Sequence, residues 1–268
     1  PATLASQQQQ KKLKSLCAAT VRSLTTEPSL HYRGNHIYHN AKPLPLHAVH
    51  LQQHVNSIQA NDLTTLRGHV DAISLRIKHS DPALHQQLQP QAPISRLVFE
   101  MLEQFRVESI APENMPGMQQ NLQHAFQHWC NNFYQSGLTE SKLGMLLYTL
   151  ALLCRSRIMA QPIPHASEDL IEMCRADITP LLGHALAPLR KLSHNQAQFA
   201  QHALTIADIM AELIDYQLKA VDDNAQEDEE KQQTLRAFSI LLEFEDIEES
   251  IMSAALSGES KVFSQSQQ

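Results

Sequence analysis

Glycine and aromatic residues are scarce in this chain. The 268 residues include 7 glycines and 5% aromatic residues, whereas glutamine, alanine and leucine are frequent. These frequent residues favour helices over sheets. We therefore predict a mainly α fold, a multi-helix bundle-like domain with at most one small β-hairpin near residues 30–39. The hairpin signal is Arg33-Gly34-Asn35 between two short apolar segments, and Pro43 and Pro45 are predicted to end it.

Basic residues are fewer than acidic residues, 21 against 28. The formal net charge is −7, and no Lys/Arg cluster is present to neutralise phosphates, which argues against a nucleic-acid partner. The most apolar run, Leu143 to Cys154, is too short to span a bilayer. The Gln-rich N-terminal segment lacks the apolar stretch of a signal peptide, and the scattered cysteines form no C-x-x-C pair. We expect no membrane partner and a cytoplasmic location.

The common catalytic motifs are missing as well. The chain has no Gly-rich phosphate loop and no G-x-S-x-G nucleophile elbow. His124 and His128 are four residues apart, as in the H-E-x-x-H zinc motif, but Ala125 stands where that motif requires glutamate. His47, His50 and His54 have helical spacing but no neighbouring carboxylate that would orient them on a metal. The sequence therefore predicts no complete catalytic set.

Proline and acidic segments suggest how the chain is divided. Pro162 and Pro164 are typical of a linker between two groups of helices. The predicted division is a disordered N-terminus (1–10), a helical domain (11–160) with a motif cluster at 66–122, C-terminal helices (161–256) with an acidic stretch at 222–230, and a flexible tail (257–268).

Residues 66–122 contain two amphipathic helical patterns separated by a loop with prolines. The apolar positions are Leu66, Val70, Ile73 and Ile77 in the first pattern, and Ile94, Leu97, Val98, Met101, Leu102 and Phe105 in the second. Gly68 lies inside the first pattern, where glycine costs about 1 kcal/mol relative to alanine. We therefore predict a close packing contact at Gly68.

Ionisable residues are concentrated in the same stretch. The candidate cluster comprises Arg67, His69, Asp71, Arg76, His79, Asp81, His85, Glu103, Arg106 and Glu108. Arg67 and Asp71 are spaced as an ion pair on the polar side of the first helix. Glu103 lies opposite the apolar stripe of the second helix, whereas Glu108 lies within roughly 40–60° of its centre. Glu108 is therefore either a buried group paired with an arginine or backbone amides, or a ligand or switch residue.

Two interpretations of this cluster remain open. In the first, its members form a polar network that fixes how the two helices cross. In the second, His69, His79, His85 and Glu108, with Glu103 on the same helix as Glu108, form a metal site.

Five short motifs follow one another in this stretch. They are Arg67-Gly68-His69-x-Asp71, His79-x-Asp81-x-x-x-His85, Glu103-Gln104-x-Arg106-x-Glu108, Met115-x-Gly117 and Asn121-Leu122. Together they resemble the N-terminal region of the CobT subunit of aerobic cobaltochelatase, most clearly over residues 64–122. In that family an acidic linker and a C-terminal von Willebrand A-type domain with a D-x-S-x-S metal site follow this region. The present chain has no D-x-S-x-S motif, so we expect it to correspond to the N-terminal region alone.

The resemblance implies a role in cobalamin biosynthesis. It implies that the subunit acts with an AAA+ ATPase subunit to drive ATP-dependent cobalt insertion into a corrin ring by a large chelatase subunit. The complex is expected to use ATP, Mg and cobalt, with no cofactor in this chain. The chain itself is expected to be a non-catalytic subunit or fragment with a docking or scaffold role, and homo-oligomerisation is left open.

Two alternatives to this function are also consistent with the sequence. The chain is then either an adaptor in an AAA+/A-type-domain remodelling complex for another metalloenzyme, or a metal-handling domain that uses the His/Glu cluster.

Overall fold

The fold is a group of packed helices with one small sheet. The computed structural model describes residues 4–33, 36–47, 62–219 and 232–238. The elements are α1 (Leu4–Thr25), β1 (Leu30–Arg33), β2 (His36–His39), β3 (Lys42–His47), α2 (Asp62–His79), α3 (Pro82–Leu88), α4 (Pro93–Ser109), α5 (Pro116–Gln135), α6 (Lys142–Met159), α7 (His165–Leu186) and α8 (Gln196–Lys219). Single 3₁₀ turns occur at Leu138–Glu140 and Leu189–Leu192, and residues 232–238 are helical. The prediction of a mainly α fold is confirmed.

The first helix starts earlier than the sequence analysis expected. α1 begins at Leu4 and so includes residues 4–10, which were placed in a disordered segment. This segment is rich in glutamine, whose helix propensity is close to that of leucine, so a polar composition does not prevent helix formation there. The acidic stretch at 222–230 and the tail at 257–268 lie outside the described residues.

The small antiparallel sheet covers one end of α1 and α2. In the predicted hairpin, Leu30 of β1 lies opposite His39 of β2, and Arg33 lies opposite His36. Leu30 and Ile37 are buried, and they pack in one apolar cluster with residues of α1 and α2. The cluster consists of Cys17, Val21, Leu30, Ile37, Leu66, Val70 and Ile73. The sheet thus closes the apolar side of the α1–α2 pair.

A third strand was not predicted. Pro43 and Pro45 lie within β3, which pairs with β2 so that Tyr38 faces Pro43. β3 is at the edge of the sheet, where proline is tolerated at positions whose N–H would point away from the neighbouring strand. The prediction that these prolines end the hairpin is therefore wrong. His47 is the last residue of β3 and does not begin a helix, while His50 and His54 lie outside the described residues.

Helix α4 lies at the centre of the fold. Every residue from Leu97 to Glu108 is buried, and α2, α6 and α8 all pack against this helix. Phe99 and Val107 lie on the side opposite the apolar stripe, and both are fully covered. A helix that is covered on all sides brings its polar residues into the interior as well.

Prolines and one aspartate set the starts of the helices around α4. Pro82, Pro93 and Pro116 are the first residues of α3, α4 and α5, a position where the missing N–H costs nothing. Asp81 caps α3, because its side chain accepts hydrogen bonds from the backbone N–H groups of residues 83 and 84 at 2.9 and 3.2 Å.

The main core continues past residue 160 without interruption. One cluster runs from Leu97 to Phe238 and includes Ile171 of α7 and Phe199 of α8. Pro162 and Pro164 do lie in a loop between α6 and α7. This loop turns the chain back onto the same core, so in the described part of the chain it does not separate two cores.

Gly68 marks the closest approach of α2 and α5. A Cβ atom at this position would lie 2.4 Å from the backbone oxygen of Asn121 and 2.7 Å from the Cβ of Ala125. The predicted close contact is confirmed, because only glycine leaves room for the backbone of α5. Gly183 of α7 has the opposite surroundings, since a Cβ there would have no atom within 4 Å.

The two glycines predict opposite effects for the same substitution. Gly68→Ala is expected to destabilise the fold by more than about 1 kcal/mol, because the backbone of α5 must move to accept the methyl group. Gly183→Ala is expected to stabilise it by roughly 0.5–1 kcal/mol through helix propensity. Urea denaturation monitored by circular dichroism measures both values. Equal effects of the two substitutions would contradict the packing described for Gly68.

Candidate functional site

Three buried carboxylates on α4 form the polar centre of the molecule. Glu100, Glu103 and Glu108 are each at most 7% exposed. An unpaired carboxylate in such surroundings is very unfavourable. Each of the three is paired with an arginine, which comes from α2, from α4 itself or from α6.

Glu100 connects α4 to α2 and α3. Its Oε2 accepts a hydrogen bond from Arg76 Nη2 at 2.8 Å, and its Oε1 lies 2.6 Å from His85 Nε2. Gln89 Nε2 donates to the same Oε1 at 2.7 Å. The His85 ring also stacks on Phe99, with 5.0 Å between the ring centroids. Burial tends to raise the pKa of Glu100, but the Arg76 charge and the His85 hydrogen bond outweigh burial and lower this pKa below its ordinary value.

Glu103 forms a two-pronged pair with Arg106 on the same helix. Arg106 Nε donates to Oε2 at 2.7 Å and Arg106 Nη2 donates to Oε1 at 2.8 Å. Ser80 Oγ donates to Oε1 at 2.6 Å. Burial again tends to raise the pKa of Glu103, but the hydrogen bond from Arg106 and the charges of Arg76 and Arg106 lower it overall.

Arg106 also joins α4 to two chain turns. Its Nη2 donates to the carbonyl of His79 at the end of α2 at 2.7 Å, and its Nη1 donates to the carbonyl of Ser193 at 2.9 Å. Ser193 directly follows the 3₁₀ turn that precedes α8. A single buried guanidinium therefore fixes both the end of α2 and the approach to α8.

Gln196 strengthens the same junction from the start of α8. The backbone N–H of Asp81 donates to Gln196 Oε1 at 2.8 Å, and Gln196 Nε2 donates to the carbonyl of Asp81 at 3.2 Å. Gln196 Nε2 also lies 3.3 Å from Ser80 Oγ. The turn between α2 and α3 is thus held by residues more than 100 positions away along the chain.

Glu108 connects α4 to α6 and, through Arg155, to α5. Arg155 Nη1 donates to Glu108 Oε2 at 2.6 Å, and Gln104 Nε2 donates to Oε1 at 3.0 Å. The Arg155 guanidinium lies over the Phe126 ring, 4.4 Å from its centroid. Of the alternatives left open for Glu108, this geometry corresponds to a buried carboxylate paired with an arginine.

Asp71 of α2 pairs with Arg67 on the same helix and also contacts Asn121 of α5. Arg67 Nε donates to Asp71 Oδ1 at 2.8 Å, and Asn121 Nδ2 donates to Oδ2 at 2.9 Å. Burial raises the pKa of Asp71 above its ordinary value, although both hydrogen bonds oppose this. The predicted ion pair is present, but Asp71 is fully buried and therefore does not lie on an exposed polar side.

The ten candidate residues take several positions in the structure. Arg76 and His85 both contact Glu100, and Arg106 contacts Glu103. The other members form the pair Arg67–Asp71, the contact of Glu108 with Arg155, and the cap of α3 by Asp81. His69 is half-buried on α2. His79 contributes its backbone carbonyl, and burial, together with the charges of Lys78, Arg106 and His194, lowers the pKa of its ring.

The four metal candidates do not share one centre. His85 contacts Glu100 and Glu108 contacts Arg155, so these two ligand-type side chains belong to different contacts. Among the residues that the structure describes, no group of three or more His, Cys, Asp or Glu side chains is placed to hold a metal ion. The arrangement matches the first interpretation, a polar network that fixes helix crossings.

The sequence analysis missed Glu100 and Arg155, which carry two of the three pairs. Glu100 does not belong to any of the five motifs. Arg155 lies in α6, outside the stretch that contains them. One signal was available: Phe99 and Val107 are apolar residues on the side of α4 opposite its main stripe. That pattern indicates a helix that is buried on all sides. Every charged residue on such a helix is then expected to need a partner inside the fold.

The side chains of this centre offer little chemical reactivity. The lowered pKa values of Glu100 and Glu103 reduce the basicity of these two carboxylates. Burial raises the pKa of the Cys130 thiol to about 12, so it is not a thiolate near neutral pH. Glu103 does lie opposite the apolar stripe as predicted, but it is covered and cannot meet a substrate directly.

These features define a class of protein: a mainly α-helical fold in which interior ion pairs position the helices. The chain belongs to the family of the cobalamin biosynthesis protein CobT, whose model matches residues 7–239. This match confirms the resemblance carried by the five motifs and extends far beyond residues 64–122. It places the chain in the context of cobalamin biosynthesis and cobaltochelatase. No solved structure matches the chain. Within the described residues, no helix has the length and apolarity needed to cross a bilayer.

The Glu100 pair predicts a large effect from a small substitution. Glu100→Gln leaves the Arg76 charge buried without its carboxylate and is expected to cost roughly 3–5 kcal/mol in unfolding free energy. The exposed Glu113 provides a matched control, and Glu113→Gln is expected to change stability by at most about 0.5 kcal/mol. Replacing both partners, in Arg76→Met/Glu100→Leu, is expected to cost less than the sum of the two single substitutions. Additive effects would show that the two groups are not coupled.

The lowered pKa of Glu100 predicts a pH dependence of stability. A carboxylate whose pKa is lower in the folded state stabilises the fold above its unfolded value of 4.5, and this stabilisation is lost as the pH falls through the folded pKa. The gap in unfolding free energy between the wild type and Glu100→Gln is therefore expected to shrink below about pH 4.5. Urea titrations between about pH 7 and pH 3 measure it. A gap that stays constant over this range would contradict the ion pair.

Proposed function

We propose that this chain is the docking and scaffold region of a CobT subunit of cobaltochelatase. It acts with an AAA+ ATPase subunit, and together they support ATP-dependent insertion of cobalt into a corrin ring by a large chelatase subunit in the cytoplasm. ATP and Mg act on the ATPase subunit, cobalt is the substrate of the complex, and this chain contributes position and contact surface.

One observation supports a scaffold role in particular. All three carboxylates of the central helix are neutralised inside the fold by Arg76, Arg106 and Arg155. Groups engaged in this way set the angles between helices and are not directed at a substrate. The family membership adds the context of the reaction.

Binding to the ATPase subunit tests this function. The purified chain is mixed with the AAA+ subunit of the same organism without nucleotide, with ADP and with a slowly hydrolysed ATP analogue. Co-elution by size-exclusion chromatography is expected in at least one of these states. An absence of co-elution in every nucleotide state would overturn the docking role.

A second measurement separates the cobalt reaction from another remodelling role. Cobalt insertion is followed by the absorbance change of a corrin substrate in the presence of the ATPase and the large subunit. Adding the full-length CobT protein is expected to support insertion, and an excess of this chain is expected to compete with it for the ATPase. ATPase binding without any effect on insertion would favour an adaptor for a different metalloenzyme.

A further inference from the structure

Helix α7 has an apolar face against the core and, on its opposite side, an exposed face that also carries apolar residues. Ile171, Ile178, Leu182 and Ala185 are buried against the core. At about 100° per residue, a second stripe lies on the opposite side of the helix. It consists of Ala166, Asp169, Met173, Ala176, Pro180 and His184, all of which are exposed.

The outer stripe has the composition and spacing of a helix-binding surface. Its members follow one another at steps of three or four residues, the spacing of a seam between packed helices. Met173 is 83% exposed, and Leu181, at the edge of the stripe, is 49% exposed. The outer face of a surface helix is normally polar, and exposed apolar side chains gathered on one face mark interaction sites.

The charges around this stripe indicate what kind of partner fits. The exposed residues Asp169, Glu172 and Asp177 lie on or beside it. Helix α8 packs against α7 and also carries exposed carboxylates. They are Asp208, Glu212 and Asp215. A second copy of this chain would bring the same carboxylates against one another, whereas a basic partner would neutralise them.

A backbone feature at the same place adds an acceptor for such a partner. Pro180 lies inside α7, so it has no N–H group to donate to the carbonyl of Ala176. Ala176 belongs to the exposed stripe. Its carbonyl is therefore placed to accept a hydrogen bond from a lysine or arginine of a bound helix.

We propose that the outer face of α7 docks a basic amphipathic helix of a partner protein. Met173, Ala176, Pro180 and Leu181 form the apolar contact, and Glu172 and Asp177 face lysine or arginine side chains at its edges. In this mode of recognition, a helix packs its apolar face against a protein surface through side chains at helical spacing. The inference rests on the proposed docking role but does not require that the host complex inserts cobalt.

A designed peptide tests the surface directly. The probe is a fluorescein-labelled helical peptide with leucine at its seam positions and lysine beside them, and the matched peptide has glutamate in place of lysine. Fluorescence anisotropy is expected to show binding of the lysine peptide only. Met173→Lys is expected to weaken that binding at least about tenfold, because it removes the central anchor and adds like charge.

Two further variants control for non-specific effects. Tyr134 of α5 is a large side chain that is 55% exposed elsewhere on the surface, and Tyr134→Lys is expected to leave binding unchanged. Glu172→Lys/Asp177→Lys is expected to weaken binding mainly at low salt, because these carboxylates act at the edge of the contact. Binding that is absent, or that is equal in the wild type and Met173→Lys, would overturn the proposal. So would a dimer of this chain, detected by sedimentation, that Met173→Lys abolishes.

The ATPase experiment separates this inference from the proposed function. If the wild type binds the AAA+ subunit and Met173→Lys does not, the α7 face is the docking surface for that subunit. If both bind equally, the α7 inference is wrong while the docking function stands. If neither binds the AAA+ subunit but the lysine peptide binds in a Met173-dependent way, the proposed function fails and the α7 surface stands.

Discussion

The burial of α4 on all sides is the constraint on which the rest of the fold depends. A helix at the centre of a group of helices has no face that reaches water, yet this one carries Glu100, Glu103 and Glu108. Each carboxylate has to be neutralised where it stands, because solvation by water is not available there. The arginines that do so come from α2, from α4 itself and from α6. The positions of these helices are therefore set by charge as well as by apolar packing.

Interior ion pairs of this kind contribute more to a defined arrangement than to net stability. The desolvation of two charged groups offsets much of their attraction. What the pairs impose is geometry, since a helix that slid by one turn would leave a carboxylate and a guanidinium buried apart. The contacts of Arg106 with the carbonyls of His79 and Ser193 extend this control to chain turns that apolar packing alone would leave free. We interpret the network as the reason that a chain so rich in helices adopts one arrangement.

The buried polar groups of this interior are not accessible to other molecules. The polar groups of α4 are engaged with one another, and the apolar residues of α5, α6 and α8 fill one continuous core. On α7, by contrast, an apolar stripe remains exposed, with Met173 at its centre. The chain, a member of the CobT family, therefore combines an interior of engaged polar groups with exposed apolar residues on one outer helix.

The sequence by itself determined the helices, the hairpin and the close contact at Gly68, because periodicity, turn residues and a helix-interior glycine act over a few neighbouring positions. It also indicated that Glu108 lies on the core side of α4 and needs a partner if it is buried. Only the tertiary structure decided which one, since Arg155 is 47 residues away and nothing local connects the two. The partners of Glu100 and the burial of Asp71 and Glu103 likewise depend on residues that are distant in the sequence. Whether a polar side of a helix faces water depends on which other helices cover it, and the spacing within one helix carries no record of that.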